Sequence, residues 1–324
     1  MKTIEVKVWV KDTFRIDLIE DYNFNESFSY TSINNILVEV DENEIIIHSQ
    51  DNNLAKLYPH LKFNTKCEIK PKELKIFKEA LIIHASFKDI YYHWIYDILP
   101  QLKTLESKSN VKIIMTPFDL NFQMESLQLF CSINNLYDEK SFYQIEKLYL
   151  PFQTTRFLMP YNFVFEFLTA NLIKSQRKAI KNKIYITRNK KYKRSVLNEK
   201  ELIRVLQSKG FLIYNLECIS FSKQVEIFNN AEVIISAHGS GLTNIVFCDP
   251  GTTILEIYGP GCGERCFARI SNRVMLKYSA LEISDISYRS PIHRFFYWLF
   301  PNLNRFDFRI DTKEFNSNLP IYFF

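Results

Sequence analysis

The stretch Ala231-Glu-Val-Ile-Ile-Ser-Ala-His238-Gly-Ser-Gly-Leu-Thr-Asn244 joins an apolar run to a turn broken by glycine. Val233-Ile-Ile235 reads as a buried strand, and the turn from Ala237 to Asn244 opens a helix. In α/β folds this junction presents backbone N–H groups to an anion. The chain has only 7 glycines in 324 residues, against an ordinary usage of roughly 7 per cent. Two of the 7 fall within three positions here, so Gly239 and Gly241 are read as required for backbone geometry.

Outward from this turn, strand and helix alternate with short connections. Lys183-Ile-Tyr-Ile-Thr187 is a strand. Glu199 to Lys209 is a helix, with Asn198 and Glu201 as a capping box and Gly210 as its stop. Phe211-Leu-Ile-Tyr214 is a strand, Phe221 to Asn230 a helix and Glu232 to Ser236 a strand. After the turn a short helix runs to about Phe247, Pro250-Gly251 turns the chain, and Thr252 to Tyr258 is a strand. This alternation argues for a parallel sheet of the Rossmann type, with ligands at the carboxyl ends of its strands.

A chain of this length exceeds one ordinary core of roughly 100 to 200 residues, so two domains are expected. The boundaries are placed at 1–175 and 176–285, with a tail over 286–324. In the first domain, Glu5 to Val10, Ile36 to Val40 and Glu44 to His48 alternate as strands, and Tyr91 to Leu102 and Phe163 to Lys181 are helical. The tail is dense in aromatics and Arg around Ile292-His-Arg-Phe-Phe-Tyr-Trp-Leu-Phe300. It is expected to pack back on the N-terminal domain or to touch a membrane through 288–305.

The net charge of +5 is mild and mixed with acids, which argues against nucleic acid as a partner. No secretory pattern or apolar run of about 20 residues is read, so a cytoplasmic protein is expected. Six cysteines are scattered, and only Cys262 and Cys266 lie close together, without a partner pair; no metal is expected. The absence of Gly-x-Gly-x-x-Gly at the first strand of the Rossmann-like half and of a P-loop argues against dinucleotide oxidoreductases and P-loop NTPases.

Three groups of residues can carry chemistry. In the glycine turn, Gly239 and Gly241 let a ligand approach the backbone, Thr243 and Asn244 donate from the helix terminus, and His238 faces the cleft; the plain alternative is a tight turn with a capping histidine. In Arg188-Asn-Lys-Lys-Tyr-Lys-Arg194, six of seven positions are amide or basic at a strand's carboxyl end, where a diphosphate would meet them. The alternative is a solvated loop. In Tyr91-Tyr-His93-Trp-Ile-Tyr-Asp97-Ile-Leu-Pro100, His93 and Asp97 share a helix face, suiting proton abstraction from a hydroxyl. The plain alternative is a buried helix with a satisfied polar pair, and spacing alone favours that alternative.

Taken in order, these pieces resemble glycosyltransferase family 61, over about residues 84 to 260. The matching motifs are His93-Trp94…Asp97…Pro100, Ile184-Tyr-Ile-Thr-Arg188 and His238-Gly-Ser-Gly-Leu-Thr-Asn244, followed by Pro250-Gly-Thr and Glu256. The resemblance implies an α/β, GT-B-like architecture of two Rossmann-like domains facing across a cleft. It implies inversion without an obligatory metal, with the nucleotide sugar on the C-terminal domain and the acceptor on the N-terminal one. Asp97 or His93 is then the base, the other orienting it. Arg188, Arg194, His238, Gly239, Ser240, Gly241, Thr243, Asn244 and Glu256 hold the donor. No cofactor is expected beyond the donor itself, taken as UDP-linked. The expected acceptor is an oligosaccharide or lipid-linked glycan of a bacterial-type surface polysaccharide, elongated at the inner face of the membrane. The rival readings are a binding module of the same fold without turnover and an interaction scaffold that binds no nucleotide.

Overall fold

The structure, a computed structural model, describes residues 2–10, 13–21, 27–42, 44–49, 51–59, 61–65, 71, 73–84, 87–131, 133–156, 159–173, 181–188, 194–260, 264–283 and 307–323. The chain forms two compact units, Phe24–Leu172 and Ile173–Phe324, the latter joined by Met1–Asn23. No helix among the described residues is long and apolar enough to cross a membrane.

The second unit is built on a seven-stranded sheet. Its strands run in the order Phe211–Tyr214, Asn182–Ile186, Ala231–Ala237, Thr253–Tyr258, Lys277–Glu282, Lys2–Val10 and Thr13–Asp21. The first six are parallel and the last turns back antiparallel. Ile184, Tyr185, Ile234, Ile235, Ile254, Leu255 and Ile257 are all fully buried. Such unbroken apolar runs belong to strands covered on both faces. Helix Glu199–Ser208 buries Leu202 and Leu206 and stops at Gly210, whose φ of +82° suits glycine. Helix Phe221–Asn229 follows, and a 3-10 helix, Ser240–Phe247, runs on from the glycine turn.

Three expectations are corrected here. Residues 1–23 belong with the second unit, because Lys2–Val10 pairs with Lys277–Glu282, Val8 opposite Ala280. That pairing covers what would otherwise be an open edge. Asn198 and Glu201 form no capping box. The Asn198 side chain instead holds both backbone groups of Ile310, donating to the carbonyl at 2.8 Å and accepting from the N–H at 3.0 Å. The described part of the tail, 307–323, therefore packs on this unit rather than on the N-terminal one. Phe308, Ile310, Phe315, Leu319 and Tyr322 are buried among Tyr185, Val196 and Leu206. The aromatic centre of the tail and the membrane contact expected at 288–305 lie outside the described residues.

The first unit holds a mixed sheet, ordered Lys62–Asn64, Ile45–His48, Tyr30–Val40, Ser141–Pro151, Lys75–Ile82, Lys112–Ile114 and Leu136–Tyr137. Tyr30–Val40 is antiparallel to both neighbours, and the other pairs are parallel. The inward alternation of Tyr30–Val40 changes phase at Asn34–Asn35, where Asn35 has a φ of +54°. Its neighbour changes phase opposite, at Glu146–Lys147. Asparagine tolerates the left-handed region better than most residues.

The helix expected over Tyr91 to Leu102 is wound in three ways: one α-turn at Tyr91–His93, a π-turn at Trp94–Ile98 and a 3-10 helix at Leu99–Ser107. Pro100 supplies the reason. It has no N–H for the carbonyl of Tyr96, which instead accepts from Thr154 Oγ1 at 2.6 Å. The next carbonyl, of Asp97, accepts from Gln101 Nε2 at 2.6 Å.

Candidate functional site

On the first unit the π-turn sets the geometry. His93 Nδ1 lies 2.6 Å from Asp97 Oδ2, both side chains nearly buried. Thr155 Oγ1 donates to the other carboxylate oxygen at 2.6 Å. Because a carboxylate can only accept, Nδ1 carries the imidazole proton and Nε2 is the acceptor. The exposed ring of Phe87 packs 5.2 Å from the imidazole, and Tyr92 meets it edge-on at 5.4 Å. Gln101 ties the backbone of Asp97 to that of His84. Single π-turns inside helices occur often at functional sites, and here one presents a polarised His–Asp pair.

On the second unit, His238 sits at the carboxyl end of its strand. Its Nδ1 lies 2.5 Å from Glu256 Oε1, and Glu256 is completely buried. Oε2 of that carboxylate accepts from Tyr258 and Tyr278 at 2.8 and 2.5 Å. The buried charge is thus fully hydrogen-bonded. Burial and then the Glu256 charge hold both phenols well above their usual titration range. The imidazole stacks on Tyr258 at 5.2 Å, with the Arg265 guanidinium 4.3 Å from the same phenol ring.

Arg188 reaches this turn from the adjacent strand and donates from Nη1 to the His238 carbonyl at 3.2 Å. Its own N–H donates to Glu199, which also accepts from Tyr185. A Cβ on Gly239 would lie 1.9 Å from Arg188 Nη1, so any larger residue would push the guanidinium out of this position. Gly239 permits this close approach, and its backbone angles are extended.

Several of the residues assigned to the donor side also make contacts within the unit. A Cβ on Gly241 would meet Leu216 and Ile186 at 3.2 and 3.4 Å. Its smallness therefore brings the 3-10 helix down onto the sheet. Thr243 and Asn244 are fully buried, and Asn244 Nδ2 donates to Gln224 Oε1 at 3.0 Å. Gln224 in turn donates to the carbonyls of Leu216 and Ile219. The Asn244 and Gln224 side chains tie the turn to its neighbours. Ser240 is half-buried at the start of the 3-10 helix. Arg194 adopts a left-handed φ of +74°, directly before Ser195, whose N–H donates to Asp307 Oδ1 and whose carbonyl accepts from the Phe308 N–H. Nothing among the described residues joins it to Arg188. Residues 189–193 lie outside the described residues. No group of three or more His, Cys, Asp or Glu side chains gathers as metal ligands would, among the described residues.

A model of the glycosyltransferase 61 family matches residues 91–255, just over half of the 324-residue chain, a span that holds His93, Asp97, Arg188 and His238 and ends one residue before Glu256. The chain belongs to the glycosyltransferase 61 family. It is 31% identical over 110 residues to an EGF domain-specific O-linked N-acetylglucosamine transferase of Drosophila melanogaster, covering 32% of this chain and 20% of that protein. It is 39% identical over 67 residues to a beta-1,2-xylosyltransferase of Arabidopsis thaliana, covering 21% of this chain and 12% of that protein. The aligned part thus spans a fifth or less of these relatives. Within this family-61 chain, sequence reasoning missed Thr155, Gln101, Tyr258 and Tyr278. Gln101 and Tyr258 stand at helix and strand spacings from Asp97 and Glu256 that could have pointed to them, whereas Thr155 and Tyr278 come from 58 and 22 positions away and only folding discloses them.

Proposed function

We propose that this chain is an inverting, metal-independent glycosyltransferase on a GT-B-like plan, moving a sugar from a nucleotide donor to a glycan hydroxyl. Family membership supports the reaction class. The observation that carries the mechanism is Asp97, whose two oxygens are taken by His93 and Thr155. Asp97 is then the orienting group, and His93 Nε2 is the base.

In the reaction, an acceptor oxygen attacks the anomeric carbon as the bond from that carbon to the diphosphate breaks. The acceptor proton passes to His93 Nε2, and Asp97 stabilises the imidazolium that results. Negative charge grows on the departing diphosphate, where preorganised donors act most strongly. Arg188, fixed against the His238 carbonyl, is assigned to that charge, together with the N–H groups of the turn. His238 and Glu256 position the turn. The exposed Phe87 ring beside His93 offers the acceptor sugar an apolar face.

The relatives' names make N-acetylglucosamine and xylose the first sugars to try, as UDP donors. A lipid-linked glycan of a surface polysaccharide is the proposed acceptor class, carried over from the family resemblance. The test is nucleotide binding followed by product detection. A nucleotide at 100 times its dissociation constant stabilises by about 2.7 kcal/mol, so UDP, GDP and CMP are compared by thermal shift. Arg188→Ala should lose the shift. His93→Ala should keep it and lose transfer, measured by mass spectrometry of the acceptor. A chain that shifts with no nucleotide is not a transferase of this kind.

A further inference from the structure

A groove of about 460 Å³ opens on the first unit, where strands Tyr30–Val40, Ser141–Pro151 and Lys75–Ile82 meet the end of the Leu99–Ser107 helix. This is within the usual range for small-ligand sites. Two lysines dominate it. Lys108 Nζ donates to Tyr30 Oη at 2.8 Å and lies 4.5 Å from the Tyr30 ring and 4.9 Å from that of Tyr149. Lys147 Nζ lies 5.4 Å from the same Tyr149 ring.

The groove's carboxylate does not neutralise them. Glu79 stands opposite Lys147 in the strand register, yet it accepts from Tyr149 Oη at 3.1 Å. Among the described residues neither lysine forms an ion pair. Two ammonium groups against one carboxylate leave the groove with one positive charge in excess. Ammonium groups resting on phenol faces keep part of their attraction, but a second carboxylate or a phosphate would hold them far better. The rest of the lining is hydroxyl, from Ser32, Ser107 and Ser109. Rings, hydroxyls and one net positive charge suit a sugar that carries an anionic group. They do not suit an apolar ligand, and a single excess charge is too little for a nucleic acid backbone.

We propose that this groove binds an anionic sugar unit of the acceptor glycan, through Lys108 and Lys147 with Tyr30 as the ring platform. The proposal rests on the transferase reading above. It names the acceptor class: the helical run that carries His93 ends at this groove, and its last nine residues, the 3-10 helix Leu99–Ser107, alone span roughly 18 Å at about 2.0 Å each. An acceptor that engages both places is an oligosaccharide.

The test is calorimetric titration of the full chain with tetragalacturonic acid, glucose 6-phosphate, neutral maltotetraose and inorganic phosphate, at low and at physiological salt. The acidic sugars should bind at least about tenfold more tightly than maltotetraose, a difference of about 1.4 kcal/mol. Tighter binding by the uronate or by the sugar phosphate identifies which group supplies the charge. The Lys108→Ala/Lys147→Ala double variant should lose the preference, and Glu79→Gln should strengthen it. Equal binding of acidic and neutral sugars, unchanged binding in the double variant, or inorganic phosphate binding as well as the sugars overturns the proposal. UDP-induced stabilisation is read in the same samples. Its loss would count against the transferase reading, and its retention without acid-sugar binding would leave that reading standing while removing this one.

Discussion

Asp97 has both carboxylate oxygens committed, one to His93 and one to Thr155, and on that ground histidine is the proposed base. Asp97→Asn should keep the fold but favour the wrong imidazole tautomer, lowering kcat by about 10² to 10⁴, the range of a positioned base. Thr155→Val removes one neutral donor, so a loss of about tenfold is expected, again in kcat with nucleotide binding unchanged. If Asp97→Asn transfers sugar at the normal rate, this assignment is wrong. The spacing of His93 and Asp97 could be read from the chain, because residues four apart share a helix face. Which of them takes the proton could not, because Thr155 comes from 58 positions further on.

At the scale of elements, the two glycines of the turn act through different neighbours. Gly239→Ala sets a methyl group on the Arg188 guanidinium, so nucleotide binding should fall sharply while the melting temperature changes little. Gly241→Val forces the 3-10 helix away from Ile186 and Leu216 and should destabilise by about 1–3 kcal/mol, seen in urea unfolding. Should the two variants behave alike, the turn is not divided in this way. Asn198 is a similar case. The capping-box pattern is present in the sequence, but both side-chain groups hold Ile310 of the tail. A local rule was outbid by a tertiary partner 112 residues away. Asn198→Ala should cost about 1–3 kcal/mol for the unpaired groups it leaves and loosen 307–323, as hydrogen exchange would register.

Over the whole molecule, Lys2–Val10 and Thr13–Asp21 complete the sheet proposed to carry the donor site. Removing residues 1–23 should destabilise the second unit and expose Lys277–Glu282 as an edge, giving concentration-dependent aggregation in light scattering. The same unit should be sensitive to alkali. Burial holds the phenols of Tyr185, Tyr258 and Tyr278 well above their ordinary value of 10, with Glu199 or Glu256 adding to the effect. The stability from keeping them neutral is whole below pH 10 and is lost above it, where tyrosines of the unfolded chain ionise first. The loss approaches about 1.4 kcal/mol per pH unit for each, so denaturant midpoints should fall steeply above about pH 10 and Tyr278→Phe should soften the fall. The sequence by itself determined the parallel strands around His238, the glycine turn and the pairing of His93 with Asp97, since each depends on residues within a few positions of one another. Only the tertiary structure decided that the first strands join the last sheet, that Asn244 bonds Gln224 while Gly241 lies against Leu216 and Ile186, and that Arg188 lies across Gly239. Those outcomes depend on which distant surfaces bury one another and which polar groups then find partners, and no local spacing carries that information.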